Sequence, residues 1–113
     1  MTAVTIGISS LEDAKGRVLD AFQGEEQGAF LSFASIELLW RVLTPKRWEL
    51  LRAMTGVGPV GIREVARRVK RDVKSVHGDL KALLQAGLLD RVEDGRLLFP
   101  YDEIHVDFVM RAA

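Results

Sequence analysis

The sequence predicts an α+β domain, and three observations carry that expectation. Segments near both ends alternate apolar and polar residues with the period of a strand: "MTAVTIGIS" sets Val4, Ile6 and Ile8 on one side, and "DEIHVDFVM" does the same with Ile104, Val106 and Phe108. Between them, successive stretches repeat apolar residues at helical spacing. Finally, "LLDRVEDGRLLFP" holds two short apolar runs about Asp94-Gly95, a dipeptide that favours a two-residue hairpin. In order, the elements read β-α-β-α-α-α-α-β-β-β.

The first strand spans 2–9. "SLEDAKGRVLDAFQ" then places Leu11, Ala14, Val18, Ala21 and Phe22 on one stripe, with Ser10 as N-cap and Asp13 three residues on, a variant of the capping box. This helix, 11–23, ends at "GEEQG", and 29–34 is a second strand. "SIELLWRVL" starts a short helix at Ser35 with Ile36, Leu39, Trp40 and Leu43 inward. Thr44-Pro45 restarts the chain as N-cap and first helical residue, and the helix that follows buries Trp48, Leu51 and Met54. "TGVGPVG" reads as a loop.

"IREVARRVK" repeats Ile62, Val65, Ala66 and Val69 at i, i+3, i+4, i+7. A turn at Arg71-Asp72 leads to "VKSVHGDLKALLQAG", with Asp72 as N-cap and Gly87 closing the helix. At ~100° per residue, Val73, Val76, Leu80, Leu83 and Leu84 share one side. Lys74, Ser75, Gly78, Lys81, Ala82 and Gln85 share the other, with His77 on the border and Asp79 towards the far edge. The tail strand covers 103–109. The plainest arrangement pairs it with strands 2–9 and 29–34 in one sheet, within one chain or across two, backed by helix 11–23.

The composition, 48% apolar and 28% charged over 113 residues, suits a soluble globular chain with a modest core. No apolar run approaches the ~20 residues of a membrane helix, and no secretion signal opens the chain. With no Cys there is no disulfide, thiol catalysis or thiolate metal site. A cytoplasmic location follows as the default expectation. The formal net charge of zero is unevenly spread: residues 1–43 carry −3, residues 44–100 carry +5 and residues 101–113 carry −2. A basic centre between acidic ends fits an anionic partner and, on charge alone, fits an ordinary solvated surface equally well.

Residues 44–100 give helix, loop, helix, tight turn, helix and β-hairpin, the order of a winged helix-turn-helix. There the second helix of the motif enters the major groove and the first braces it. The outward face of helix 73–85 has two lysines, a hydroxyl, a glycine and no acid, which suits phosphates and base edges. Gly78 within a helix costs roughly 0.8–1 kcal/mol against Ala, a cost that close approach of a duplex, or of another helix, would explain. The expected DNA-contacting set is Arg67, Arg68, Lys70 and Arg71 before the helix; Lys74, Ser75, His77, Gly78 and Lys81 on it; and Arg91 and Arg96 on the hairpin. Ser75, His77 and Lys74 are the candidates for base edges.

The stretch "GIREVARRVKRDVKSVHGDLKALLQAGLLDRVEDGRLLF" resembles winged-helix repressors of the MarR-like and ArsR-like kind. The shared pattern, Leu-x-x-Leu-x-x-x-Gly-Leu and then the wing, falls on Leu80, Leu83, Gly87 and Leu88. With "LTPKRWELLRAM" and the alternating tail, the chain looks closest to a family of predicted bacterial and archaeal DNA-binding regulators, some of whose members are described as antitoxins. The glycine usual between the two motif helices is replaced by Lys70-Arg71. The resemblance covers about 44–100 and implies a sequence-specific regulator of double-stranded DNA, a homodimeric repressor. It divides the chain into an N-terminal β-α-β extension with its linking helix, 1–43, serving a dimer or partner interface, and a winged-helix domain with a C-terminal strand, 44–113. The alternative is an antitoxin-type module that binds a partner toxin and regulates its own promoter.

Catalysis has little to build on. The two histidines sit on separate elements, and there is no nucleophile elbow or phosphate-loop spacing. His105 and Asp107 fall on the polar side of the tail strand. Trp40 and Trp48 read as core residues. No enzyme activity, metal or cofactor is expected.

Overall fold

A computed structural model of the chain describes residues 2–8 and 29–108. Within them lie β1 (Ala3–Ile8), β2 (Ala29–Phe33), α1 (Ile36–Val42), α2 (Pro45–Met54), α3 (Ile62–Val69), α4 (Val73–Gln85), β3 (Asp90–Arg91), β4 (Leu97–Leu98) and β5 (Glu103–Asp107). This is an α+β fold in which four described helices accompany a small parallel sheet and a two-stranded hairpin. The expected helix 11–23 with its Ser10 cap lies outside the described residues. No described helix is long and apolar enough to cross a membrane.

The sheet has the order β2-β1-β5 and is parallel throughout. Val4 faces Ala29 on one side and Ile104 on the other, and Ile6 faces Leu31 and Val106. Period-two alternation therefore sends Val4, Ile6 and Phe33 into the core. The three anticipated strands do pair, and they do so within one chain. Parallel neighbours need a long crossover, and the twenty residues between β1 and β2 provide its length.

One core cluster runs through the whole described chain, from Val4 and Ile6 through Leu39, Leu50, Met54, Val65, Leu80 and Leu83 to Leu97 and Phe99. Three residues expected on apolar faces are not buried. Trp40 is 52% exposed, Val106 45% and Val73 40%. Trp40 meets Phe108 edge to ring face, with centroids 6.3 Å apart, whereas Val73 opens the first turn of α4, ahead of the α4 residues that are buried. Trp48 is half-buried against the core.

The caps follow local chemistry. The Ser35 hydroxyl accepts the Leu38 N–H, Thr44 that of Arg47, and the Asp72 carboxylate that of Ser75. Helix α4 ends with Gly87 at φ +87°, its N–H bonded to the Leu84 carbonyl and that of Leu88 to Leu83, a Schellman closure. The same pattern ends α3, where Lys70 and Arg71 donate to Arg67 and Ala66. Here the left-handed residue is Lys70, at φ 57° and ψ 46°. So the missing glycine leaves the turn in place, with a lysine held in a conformation that costs a side-chain-bearing residue ~1 kcal/mol. Lys70→Gly is expected to raise stability by about 0.5–1 kcal/mol, part of the relief being offset by the freer unfolded chain; urea midpoints compared at constant slope would check it.

The hairpin differs from expectation in detail. Only Gly95 is left-handed, at φ +89°. Its N–H bonds to the Val92 carbonyl, while the Val92 N–H bonds to Arg96. The loop is therefore the three residues Glu93, Asp94 and Gly95 rather than a two-residue turn, because a two-residue type I′ turn would also need Asp94 left-handed. The segment between α2 and α3, read as loop, contributes one further pairing. Val60 and Leu97 exchange both backbone bonds, at 2.8 and 2.9 Å. That bridge anchors the hairpin to the entry of α3.

Candidate nucleic-acid interface

The exposed side of α4 carries Lys74, Ser75, His77, Gly78, Lys81 and Gln85, while Val76, Leu80 and Leu83 are buried beneath. Lys74 and Lys81 have no acidic partner among the described residues, nor does Lys70 in the preceding turn. A Cβ added at Gly78 would meet nothing within 4 Å. Packing against another described element is thus not the reason for a glycine there.

The arginines are more committed. Arg71 Nη2 donates to Asp79 Oδ2 at 2.6 Å and to the Ser75 hydroxyl at 2.7 Å, and its side chain is only 14% exposed. Arg47 reaches the same carboxylate from α2 at 3.0 Å and also donates to the Val42 carbonyl at 2.8 Å. Asp79 thereby clasps the turn before α4, the start of α2 and the end of α1, where a cation complements the free carbonyls. Burial pushes the Asp79 carboxyl up, but the hydrogen bonds and charges of Arg71 and Arg47 outweigh it and hold it below the usual carboxylate range. Arg71 belongs to the scaffold of the helix pair, and Ser75 spends its hydroxyl on orienting it.

Arg67 and Arg68 both pair with Glu64 on their own helix, Arg68 at 2.9 Å, and both remain exposed. Such pairs in solvent are weak and exchange readily for phosphate. On the hairpin, Arg96 is paired with Asp94 at 2.6 Å, and its backbone N–H also bonds that carboxylate. Backbone and side-chain bonds from Arg96 hold Asp94 below the usual carboxylate range. Arg91 donates to the Gly95 carbonyl at 3.1 Å and is otherwise open to solvent.

Between α4 and the hairpin lies a half-open cleft of about 250 Å³. Ile62, Leu80, Leu84 and Leu97 form its floor. His77, Lys81, Gln85 and Arg91 stand exposed around its rim. Among the described residues no group of His, Asp and Glu is arranged to hold a metal ion. His105 bonds Glu103 at 3.1 Å on the exposed side of β5, apart from these groups.

A family model described as HVO_A0114 matches residues 42–106, which is 65 of the 113 residues. The chain belongs to the HVO_A0114 family. No curated protein and no solved structure matches it. In this HVO_A0114 chain the matched stretch starts at the last residue of α1 and reaches β5, so it holds the Asp79 clasp, the open face of α4 and the cleft. Sequence reasoning found that face by periodicity but missed the clasp, since Arg47 and Asp79 are 32 residues apart. The pairing of Glu64 with Arg67 and Arg68 did have a signal, the i,i+3 and i,i+4 spacing.

Proposed function

We propose that this chain is a winged-helix transcriptional regulator that binds double-stranded DNA sequence-specifically and acts as a dimeric repressor. In this reading α3 braces α4, α4 lies in the major groove, and the β3–β4 hairpin is the wing that follows the backbone. The observation that carries it is the face of α4, where Lys74 and Lys81, unpaired among the described residues, flank a glycine that meets only open space. Cations there would neutralise phosphates, His77 would read base edges, and Gly78 would let the backbone come close. Lys70, Arg67, Arg68 and Arg91 extend the phosphate contacts. Arg71 serves the Asp79 clasp with the exposed Ser75 hydroxyl accepting from it, and Arg96 joins only by leaving Asp94. Two-fold pairing of protomers would present two such helices to a palindromic site about 34 Å apart along the duplex.

Anisotropy of a labelled duplex across a salt series tests the reading. Neutralising about six phosphates per protomer gives a slope of log affinity on log salt of about −5 for each protomer bound. Absence of duplex affinity even at about 50 mM salt would replace it with a protein-docking role. Gly78→Ala separates the two demands on that residue. The variant is expected to gain up to ~1 kcal/mol in thermal stability, because helix propensity improves and no clash follows, while its duplex affinity falls.

A further inference from the structure

We propose that the cleft between α4 and the hairpin binds a small amphipathic anion, an aliphatic carboxylate of about ten heavy atoms. Four aliphatic side chains, Ile62, Leu80, Leu84 and Leu97, make the floor. Leu80 and Leu97 are fully buried, so the apolar surface open to a ligand comes from the half-buried Ile62 and Leu84 that lie beside them. The rim carries the basic side chains of Lys81 and Arg91, together with the His77 imidazole and the Gln85 amide, and no acid. Lys81 has no acidic partner among the described residues, and Arg91 uses one nitrogen on the Gly95 carbonyl and keeps its other donors. An apolar base with a one-sided cationic rim selects for a molecule with an apolar body and one anionic end. Inorganic phosphate satisfies only the rim, and a neutral amide of the same chain length only the floor. The cleft volume, about 250 Å³, is below that of typical drug-sized sites, which sets the ligand size.

The ligand claim stands apart from the duplex reading; its regulatory consequence rests on that reading. Lys81 and His77 belong both to the cleft rim and to the proposed groove-facing side of α4. A carboxylate on Lys81 and Arg91 removes two phosphate contacts, so ligand and duplex weaken each other by the same factor.

Amide and side-chain NMR of the full chain, titrated with octanoate, octanamide or inorganic phosphate, tests the site. Octanoate is expected to shift His77, Lys81, Leu84 and Arg91 saturably, with a dissociation constant on the order of a millimolar. Octanamide and phosphate should bind at least about tenfold more weakly, a preference lost in K81Q/R91Q. Both substituted side chains are exposed, and an unchanged melting temperature would show that the variant folds. Shifts confined to other surfaces such as Trp40, equal binding of octanamide, or no saturable shift would each overturn the proposal. A second arm adds octanoate to the duplex complex. Raised duplex dissociation constants are expected for the wild type and not for K81Q/R91Q. If the wild type binds octanoate but no duplex, the ligand site survives and the regulator reading falls; if it binds both without competition, the shared-cation mechanism falls.

Discussion

Asp79→Ala is expected to destabilise the fold by about 2–3 kcal/mol, which lowers the melting temperature by roughly 8–15 °C for a domain of this size. The substitution removes one carboxylate and strands two guanidinium groups. Arg71, 14% exposed, loses its short bond to Oδ2, and Arg47 loses the bond to Oδ1. Arg71 Nη1 already has no partner among the described residues, so this group has little left to fall back on. A partly buried cation without its counter-charge costs more than the pair contributes. The effect has a pH signature. Asp79 has a folded pKa below its ordinary value, so its contribution is complete above the unfolded carboxylate pKa of about 3.9. It fades as pH falls through the folded value. The stability gap between wild type and variant should therefore be full near neutrality and narrow below about pH 4. Denaturation followed by circular dichroism at several pH values measures it, and a gap that widens on acidification would contradict the clasp.

The second large effect concerns affinity. Under the duplex-binding proposal, Lys74→Glu with Lys81→Glu is expected to weaken binding by about two to three orders of magnitude at low salt, for any duplex sequence. The salt slope should flatten by about 2 for each protomer bound, because each releases about two fewer counterions. Neither lysine makes an ion pair among the described residues, and both are exposed, so the melting temperature should barely move. Reversing Arg71 would be a poorer test: breaking the Asp79 clasp would lower affinity through unfolding alone. A double variant that melts normally and binds as tightly as the wild type would remove α4 from the interface.

Much of the secondary structure was legible because its causes are local. A hydroxyl or carboxylate before an apolar stripe caps a helix wherever it sits, and Ser35, Thr44 and Asp72 do so here. Alternation exposed β1 and β5, though the parallel order of the sheet is a property of the whole chain. What periodicity cannot supply is the opposing surface. Trp40 and Val73 fall on or near apolar stripes but lie where little packs over them. The candidate site was legible as a cluster of bases but not as a division of labour. Counting charges treats Arg71 and Lys74 alike, whereas Asp79 takes the first into the scaffold and leaves the second in solvent. The Val60–Leu97 bridge was hidden because one residue between a proline and a glycine gives no strand pattern.

The order β2-β1-β5 places the earliest strand between two later ones, and Ala3 finds its partner Glu103 a hundred residues downstream. During translation at about 5–20 residues per second, β1 emerges roughly 5–20 s before β5 has been made. The helices and hairpin, whose contacts are nearer in sequence, can assemble during that delay, while one flank of β1 stays open to any extended chain nearby. Closure of the sheet thus waits for β5, and crowded, slow or prematurely halted ribosomes are where nascent copies of this chain are most exposed to mispairing.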